Sequence, residues 1–210
     1  MATACTVAPN DCSLRRAIIS ANADVTATPV IINLQPATIY NLTLTNATQE
    51  NAAATGDLDI TTSLHSVTVV GGGNTTVINA SGLNAGSFRD RVFHITGPGV
   101  TAIFHDLVIS NGTAADDSTG GTSTDPTVQT THRFGGGVLN NGGSVTLDSV
   151  TLQSCQAVGK GDFAVNNHTA LDAIGGGLAS LTASDLCDPL VSLSSVRIAS
   201  VNGHSQSYSA

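Results

Sequence analysis

Hydrophobic positions along this chain recur in a spaced unit, apolar-x-apolar-x-x-apolar-x-apolar. Its copies are Thr62, Leu64, Val67, Val69; Ala102, Phe104, Leu107, Ile109; Val145, Leu147, Val150, Leu152; and Val191, Leu193, Val196, Ile198. Alternation on each side of a two-residue step predicts two short strands meeting at a bend, with the named residues facing inward. The copies begin 40, 43 and 46 residues apart. Self-similarity at such a period predicts a solenoid of about four stacked turns, each roughly 4.7–4.9 Å from the next. Turns this long must carry insertions. These fall in the polar stretches 80–90, 113–134 and 158–174, and a strand resumes after each, twice through a glycine triplet that permits a tight turn. If the registers hold, all three loops leave from one corner.

One stretch breaks the β pattern. In the run Cys12 to Ala23, Leu14, Ala17, Ile18 and Ala21 share a helical face, with Asp11 or Ser13 in position to cap it. A lone amphipathic helix ahead of an otherwise β chain predicts a lid on the end of a sheet stack.

This run (Cys12-Ser13-Leu14-Arg15-Arg16-Ala17-Ile18), with Gly56-Asp57-Leu58-Asp59-Ile60 after it, resembles the N-terminal signature C-S-L-R-E-A-I of a family of exported bacterial proteins with a parallel β-helix fold of pectin-lyase-like architecture. The resemblance covers the first sixty residues well and the repeats loosely. Arg16 stands where the pattern has Glu, so no role tied to that acid carries over. The resemblance implies an all-β fold, a right-handed parallel β-helix, in one domain: residues 1–28 as N-terminal cap and 29–210 as solenoid. It also implies export, to the cell surface or beyond. A jelly-roll or other sandwich is the competing fold.

Composition narrows the picture. Hydrophobic residues make up 40% but aromatics only 3%, so the core must be built from regularly spaced Val, Ile, Leu and Ala, which suits a solenoid. A net charge of −8 without a basic patch argues against nucleic acid as a partner. No apolar run reaches the roughly 18–20 residues needed to cross a bilayer, so membrane insertion is not expected. Met1 followed at once by signature-like sequence suggests a mature start, with any signal peptide already removed. Four cysteines allow three pairings. Their positions suggest Cys5–Cys12 across the cap entry and Cys155–Cys187 between neighbouring turns, as an oxidising space would allow; free thiols are the alternative. No second helix follows Ile198, and an open last turn exposes backbone groups. Either residues 199–210 fold over it or the solenoid self-associates through its C-terminal end.

Chemistry is sought where polar residues align. In each predicted bend two middle positions face outward and stack as His65, His105, Asp148, Ser194 and as Ser66, Asp106, Ser149, Ser195. His65, His105, Asp106 and Asp148 would then gather along one edge, fit for a divalent metal or acid/base work; a polar ladder is the plainer reading. His105, Asp106 and Asp148 are the catalytic candidates. Arg89 or Arg91 would hold a substrate carboxylate, unless they pair locally with Asp90. The loop wall offers Asp116, Asp117, Asp125, His132, Arg133, Asp162, His168 and Asp172 around a cleft suited to a glycan or peptide. Asp57 and Asp59 share one strand face, which invites a glycosidase or calcium reading beside a structural one. The chain has no nucleophile elbow, phosphate loop, dinucleotide fingerprint, H-E-x-x-H or C-x-x-C, so no cofactor is expected.

Three functions follow. The first is a non-catalytic surface or secreted module for adhesion or display, with a glycan or cell-surface polymer as partner. The second is a carbohydrate-active lyase or hydrolase. The third is another hydrolase, or a metal-dependent site, on the loop wall.

Overall fold

The computed structural model describes residues 13–45, 50–85, 89–114, 133–157, 173–174, 177–181, 191–194 and 197–199. It opens on helix α1 (Leu14–Ala23). Ser13 is the N-cap, in extended backbone, and its Oγ accepts the Arg16 amide at 3.2 Å. Leu14, Arg15, Ile18 and Ala21 are the buried residues of the helix. Arg15 therefore joins the inner face on which the hydrophobic pattern placed Ala17.

Strands follow: β1 (Val30–Asn33), β2 (Ile39–Asn41), β3 (Leu58–Ile60), β4 (Ser66–Val70), β5 (Val77–Asn79), β6 (Phe93–Thr96), β7 (Thr101–Ser110) and β8 (Thr113–Ala114). After them come β9 (Arg133–Phe134), β10 (Val138–Asn141), β11 (Ser144–Gln153), β12 (Gln156–Ala157), β13 (Ala173–Ile174), β14 (Leu178–Leu181), β15 (Val191–Ser194) and β16 (Arg197–Ala199). Every pairing among these strands is parallel. One sheet runs β1-β4-β7-β11-β15, with β2, β5 and β16 alongside; the second runs β3-β6-β10-β14. The chain alternates between them, from β4 and β5 to β6, back to β7, on to β10 and back to β11. Parallel neighbours normally need a helical crossover. Here the second sheet is the return path.

The register of the repeat is seen in the second and third copies and in the described residues of the fourth, Val196 lying outside them, and is corrected in the first. Asp148 lies against His105, Val145 against Ala102 and Val191, and Leu152 against Ile109 and Ile198, as the pattern predicts. The copy assigned to Thr62–Val69 is out of register. Val67 and Val69 stand against Ala102 and Phe104, and it is Ile78 of β5 that faces Ile109. The bend in this copy spans Gly71–Thr76 rather than two residues, and Leu64 is 57% exposed. A further copy precedes it, with Val30 and Ile32 against Val67 and Val69, and Tyr40 against Ile78. The main sheet thus carries five strands along its path.

Inward residues of the two sheets meet in one core: Val67, Val69, Ile78, Ala102, Phe104, Leu107, Ile109, Val145, Leu147, Val150 and Leu152 from the first, Leu58, Ile60, Phe93, Ile95 and Val138 from the second. The rings of Phe93 and Phe104 bridge them, centroids 4.6 Å apart and tilted 55°, a tilted pairing that adds about 0.5–1.5 kcal/mol beyond area burial. Backbone contact between successive circuits is close enough to demand glycine at Gly136, where a Cβ would fall 2.1 Å from the Gln156 carbonyl oxygen. Cys155 lies beneath Gly137 as a buried free thiol, its Sγ 3.4 Å from the Gln153 carbonyl and 3.7 Å from that of Ile109. The expected Cys155–Cys187 bridge is therefore not formed; Cys5, Cys12 and Cys187 lie outside the described residues.

At the outer bend the structure holds a stack that hydrophobic patterning could not reveal. Asn79 Nδ2 donates to Asn41 Oδ1 at 2.8 Å, and Asn111 Nδ2 to Asn79 Oδ1 at 2.9 Å. These side-chain amides zip three successive circuits together. At the chain's beginning, α1 lies over β3: Asn22 donates to the Asp59 carbonyl at 2.7 Å and accepts the Thr61 amide at 3.0 Å.

Arg16 sits three residues after the N-cap, the place where a glutamate completes a capping box by accepting the cap residue's own N–H. A guanidinium only donates, and its charge opposes the helix dipole. Arg16→Glu is expected to raise unfolding stability by about 0.5–1 kcal/mol in urea titration. No change, or a loss, would show that the cap gains nothing from an acid there.

Candidate functional site

Among the described residues, two groups of chemistry-bearing side chains emerge, one at the surface and one buried next to the segment that α1 covers. The surface group is the predicted catalytic set. His105 closes the first half of β7, Asp106 occupies the bend with φ of 52°, and parallel register sets Asp148 beside His105. His105 Nδ1 stands 2.8 Å from Asp106 Oδ2, and His105 Nε2 stands 3.0 Å from Asp148 Oδ2. All three side chains are about two-fifths exposed. Ser149 Oγ donates to Asp148 Oδ1 at 3.3 Å.

The arrangement limits the chemistry. Each ring nitrogen of His105 faces a different carboxylate, so one metal ion could not be held by both acids through this imidazole. As it stands, the group is an exposed polar contact between adjacent strands, and even as an ion pair such a contact is worth about 0–1 kcal/mol. His65 does not belong to it. Val70, not His65, is in register with His105, and His65 is buried with Nδ1 2.8 Å from the Thr26 carbonyl oxygen.

The second group was legible only in part. Arg15 of α1 is buried, and Nη1 donates to the carbonyls of Ala53 (2.8 Å), Thr55 (3.2 Å) and Asp57 (2.8 Å), while Nη2 donates to that of Gly56. Burial draws its guanidinium below the ordinary arginine range, against the opposing pull of Asp57, Glu50, Asp59 and Asp90. Arg91, read as a possible substrate clamp, is fully buried and clamps a carboxylate of its own chain, with Nη1 3.3 Å from Asp57 Oδ2. Asp90 is buried beside it: Oδ1 accepts the Arg91 amide at 2.9 Å, and Oδ2 accepts the Asp57 amide at 3.1 Å. Asp59 Oδ2 accepts the Ala53 amide at 2.8 Å, and its Oδ1 lies 3.1 Å from His94 Nδ1. His94 Nε2 is 2.8 Å from Thr96 Oγ1.

Asp57, Asp59 and His94 bring ligand atoms within 4.8 Å of one another, the spacing of a metal cage. Arg91 already supplies the positive charge at Asp57, and all three residues are buried. We read the group as an ionic core rather than a cation site. The paired acids of Gly56–Ile60 are thereby explained: Leu58 and Ile60 belong to the apolar core, while Asp57 and Asp59 receive the cluster's donors.

Of the other predicted binding residues, Arg89 is exposed just before Asp90. Arg133 lies in β9, in register with Ala173. Asp116, Asp117, Asp125, His132, Asp162, His168 and Asp172 lie outside the described residues. Arg15 and His94 were missed as members of a site. Arg15 stood in the sequence as an ordinary helix arginine with no sign of its carbonyl partners, whereas His94 carried no signal beyond its place in a resuming strand. No protein-family model, curated protein or solved structure matches the chain.

Arg15 joins α1 to the segment 53–57, and a lysine cannot reproduce it because a compact ammonium cannot span four carbonyls. Arg15→Ala is expected to cost about 3–5 kcal/mol in urea unfolding, the scale for breaking a buried charge network. Arg15→Lys should recover less than half of that loss. Full recovery by lysine would mean that charge alone, not the guanidinium fork, closes the cap.

Proposed function

We propose that this chain is a right-handed parallel β-helix serving as a non-catalytic binding or display module, outside the cell or on its surface, for a glycan or other surface polymer. Parallel pairing throughout, with the chain alternating between two sheets, supports the helix, and right-handedness follows the general rule for parallel crossovers. The observation that carries the functional reading is the placement of polar chemistry. Among the described residues, the densest cluster of acids, arginines and histidine is buried, where no polymer reaches it. The exposed alternative, His105, has a carboxylate at each ring nitrogen. A rigid stack whose charged groups hold its own circuits together fits a scaffold. Export rests on the resemblance of the N-terminal signature.

One observation favours a second reading, a carbohydrate-active lyase or hydrolase: His105, Asp106 and Asp148 meet at the surface, as acid/base catalysis requires. Architecture alone does not confer that activity. A glycan array run beside reducing-end and unsaturated-product assays separates the two. The module reading predicts binding without turnover, unchanged in His105→Ala. Turnover that His105→Ala abolishes would overturn it.

A further inference from the structure

The buried cluster is rich in acid. Among the described residues, the carboxyls of Asp57, Asp59, Asp90 and Glu50 lie around the guanidiniums of Arg15 and Arg91. Asp59 and His94 are both fully buried, with Oδ1 and Nδ1 3.1 Å apart. A carboxylate beside a neutral imidazole would add a further negative charge to this interior, which is costly. A single proton on either partner neutralises the pair.

We propose that Asp59 and His94 share one proton at neutral pH, which keeps this buried contact between β3 and β6 neutral and makes the stability of the folded chain depend on that proton. The groups around the pair fit this assignment from every packed element. From α1 comes Arg15, which holds the carbonyls of Ala53 and Asp57. The segment before β3 brings the Ala53 amide to Asp59 Oδ2, together with Glu50, whose carboxylate accepts the Ala52 and Thr55 amides. The segment before β6 brings Asp90 and Arg91. On β6, Thr96 Oγ1 meets the far nitrogen of His94. The next strand, β10, sets the uncharged Leu139 beside His94.

Burial pushes the Asp59 carboxyl up to about 7; the Ala53 hydrogen bond, Arg91 and Arg15 pull it down less strongly, and Glu50 pushes the same way as burial. The folded value lies above the unfolded one. The bound proton therefore stabilises the folded chain fully below about pH 4, and this contribution is lost as the pH rises through about 7. The unfolded chain's own His94 takes up a proton over much of this range, so the wild type alone masks the effect. Comparison with Asp59→Asn, a neutral isostere of the protonated acid, isolates it.

Urea unfolding of both proteins from pH 5 to 8 is the test. The ratio of unfolding constants, wild type over Asp59→Asn, should rise roughly a hundred-fold, most of it before pH 7. A ratio constant with pH overturns the proposal. Should the variant fail to fold, NMR of the wild type decides. One shared titration of the Asp59 carboxyl and His94 ring near pH 7 supports it; an ionised Asp59 beside a neutral His94 at pH 6 refutes it.

Discussion

The end of this stack is held by one guanidinium. Arg15 reaches from the capping helix to the carbonyls of Ala53, Thr55, Gly56 and Asp57 and so shapes the segment that leads into β3. That segment then presents Asp57 to Arg91 and Asp59 to His94. A parallel sheet leaves an edge strand with unsatisfied backbone groups, a liability that folds manage by covering the edge. Here the covering is polar as well as apolar. Leu14, Ile18 and Ala21 bury surface, while Arg15 and Asn22 bond to main-chain groups that the edge would otherwise present to water.

Beyond the cap, stability is repetitive. Each further strand of the two sheets adds inward Val, Leu or Ile to a shared core and parallel bonds to its neighbour. Bends set the fine geometry. Asp106 and Ser149 take the left-handed conformation in the continuous strands β7 and β11, with φ of 52° and 54°. Such positions strain a residue with a side chain by about 1–2 kcal/mol. The strain is repeated at the same place in neighbouring circuits, so their backbones stay nested. The Asp106–His105–Asp148 bridge grows out of this arrangement, since parallel register makes column partners of residues 43 apart in sequence.

The later copies of the repeat were legible because an uninterrupted two-residue bend preserves the apolar spacing through both strand halves. The first copies were not, because a six-residue bend between β4 and β5 splits the unit. Thr62 and Leu64 happened to complete a false one, though Leu64 points to solvent. The helical lid was legible from Leu14, Ile18 and Ala21; the inward Arg15 was not, since hydropathy assigns arginine outward. The ionic core escaped for a related reason. Its members are scattered from Arg15 to His94, and a buried charge is identifiable only once its partners are placed around it. Asp57 and Asp59 could be read as a pair, but their partners could not.

The central claim is that these charges act as one unit that closes the stack. A double-mutant cycle on Arg15→Met and Arg91→Met, read by urea unfolding, tests it most directly. The two arginines share Asp57, Arg15 through its carbonyl and Arg91 through its carboxylate. The account predicts an interaction energy of at least about 1 kcal/mol between the two substitutions, as contacting members of a network show. Losses that add within about 0.5 kcal/mol would contradict it, leaving two separate contacts that happen to lie near each other.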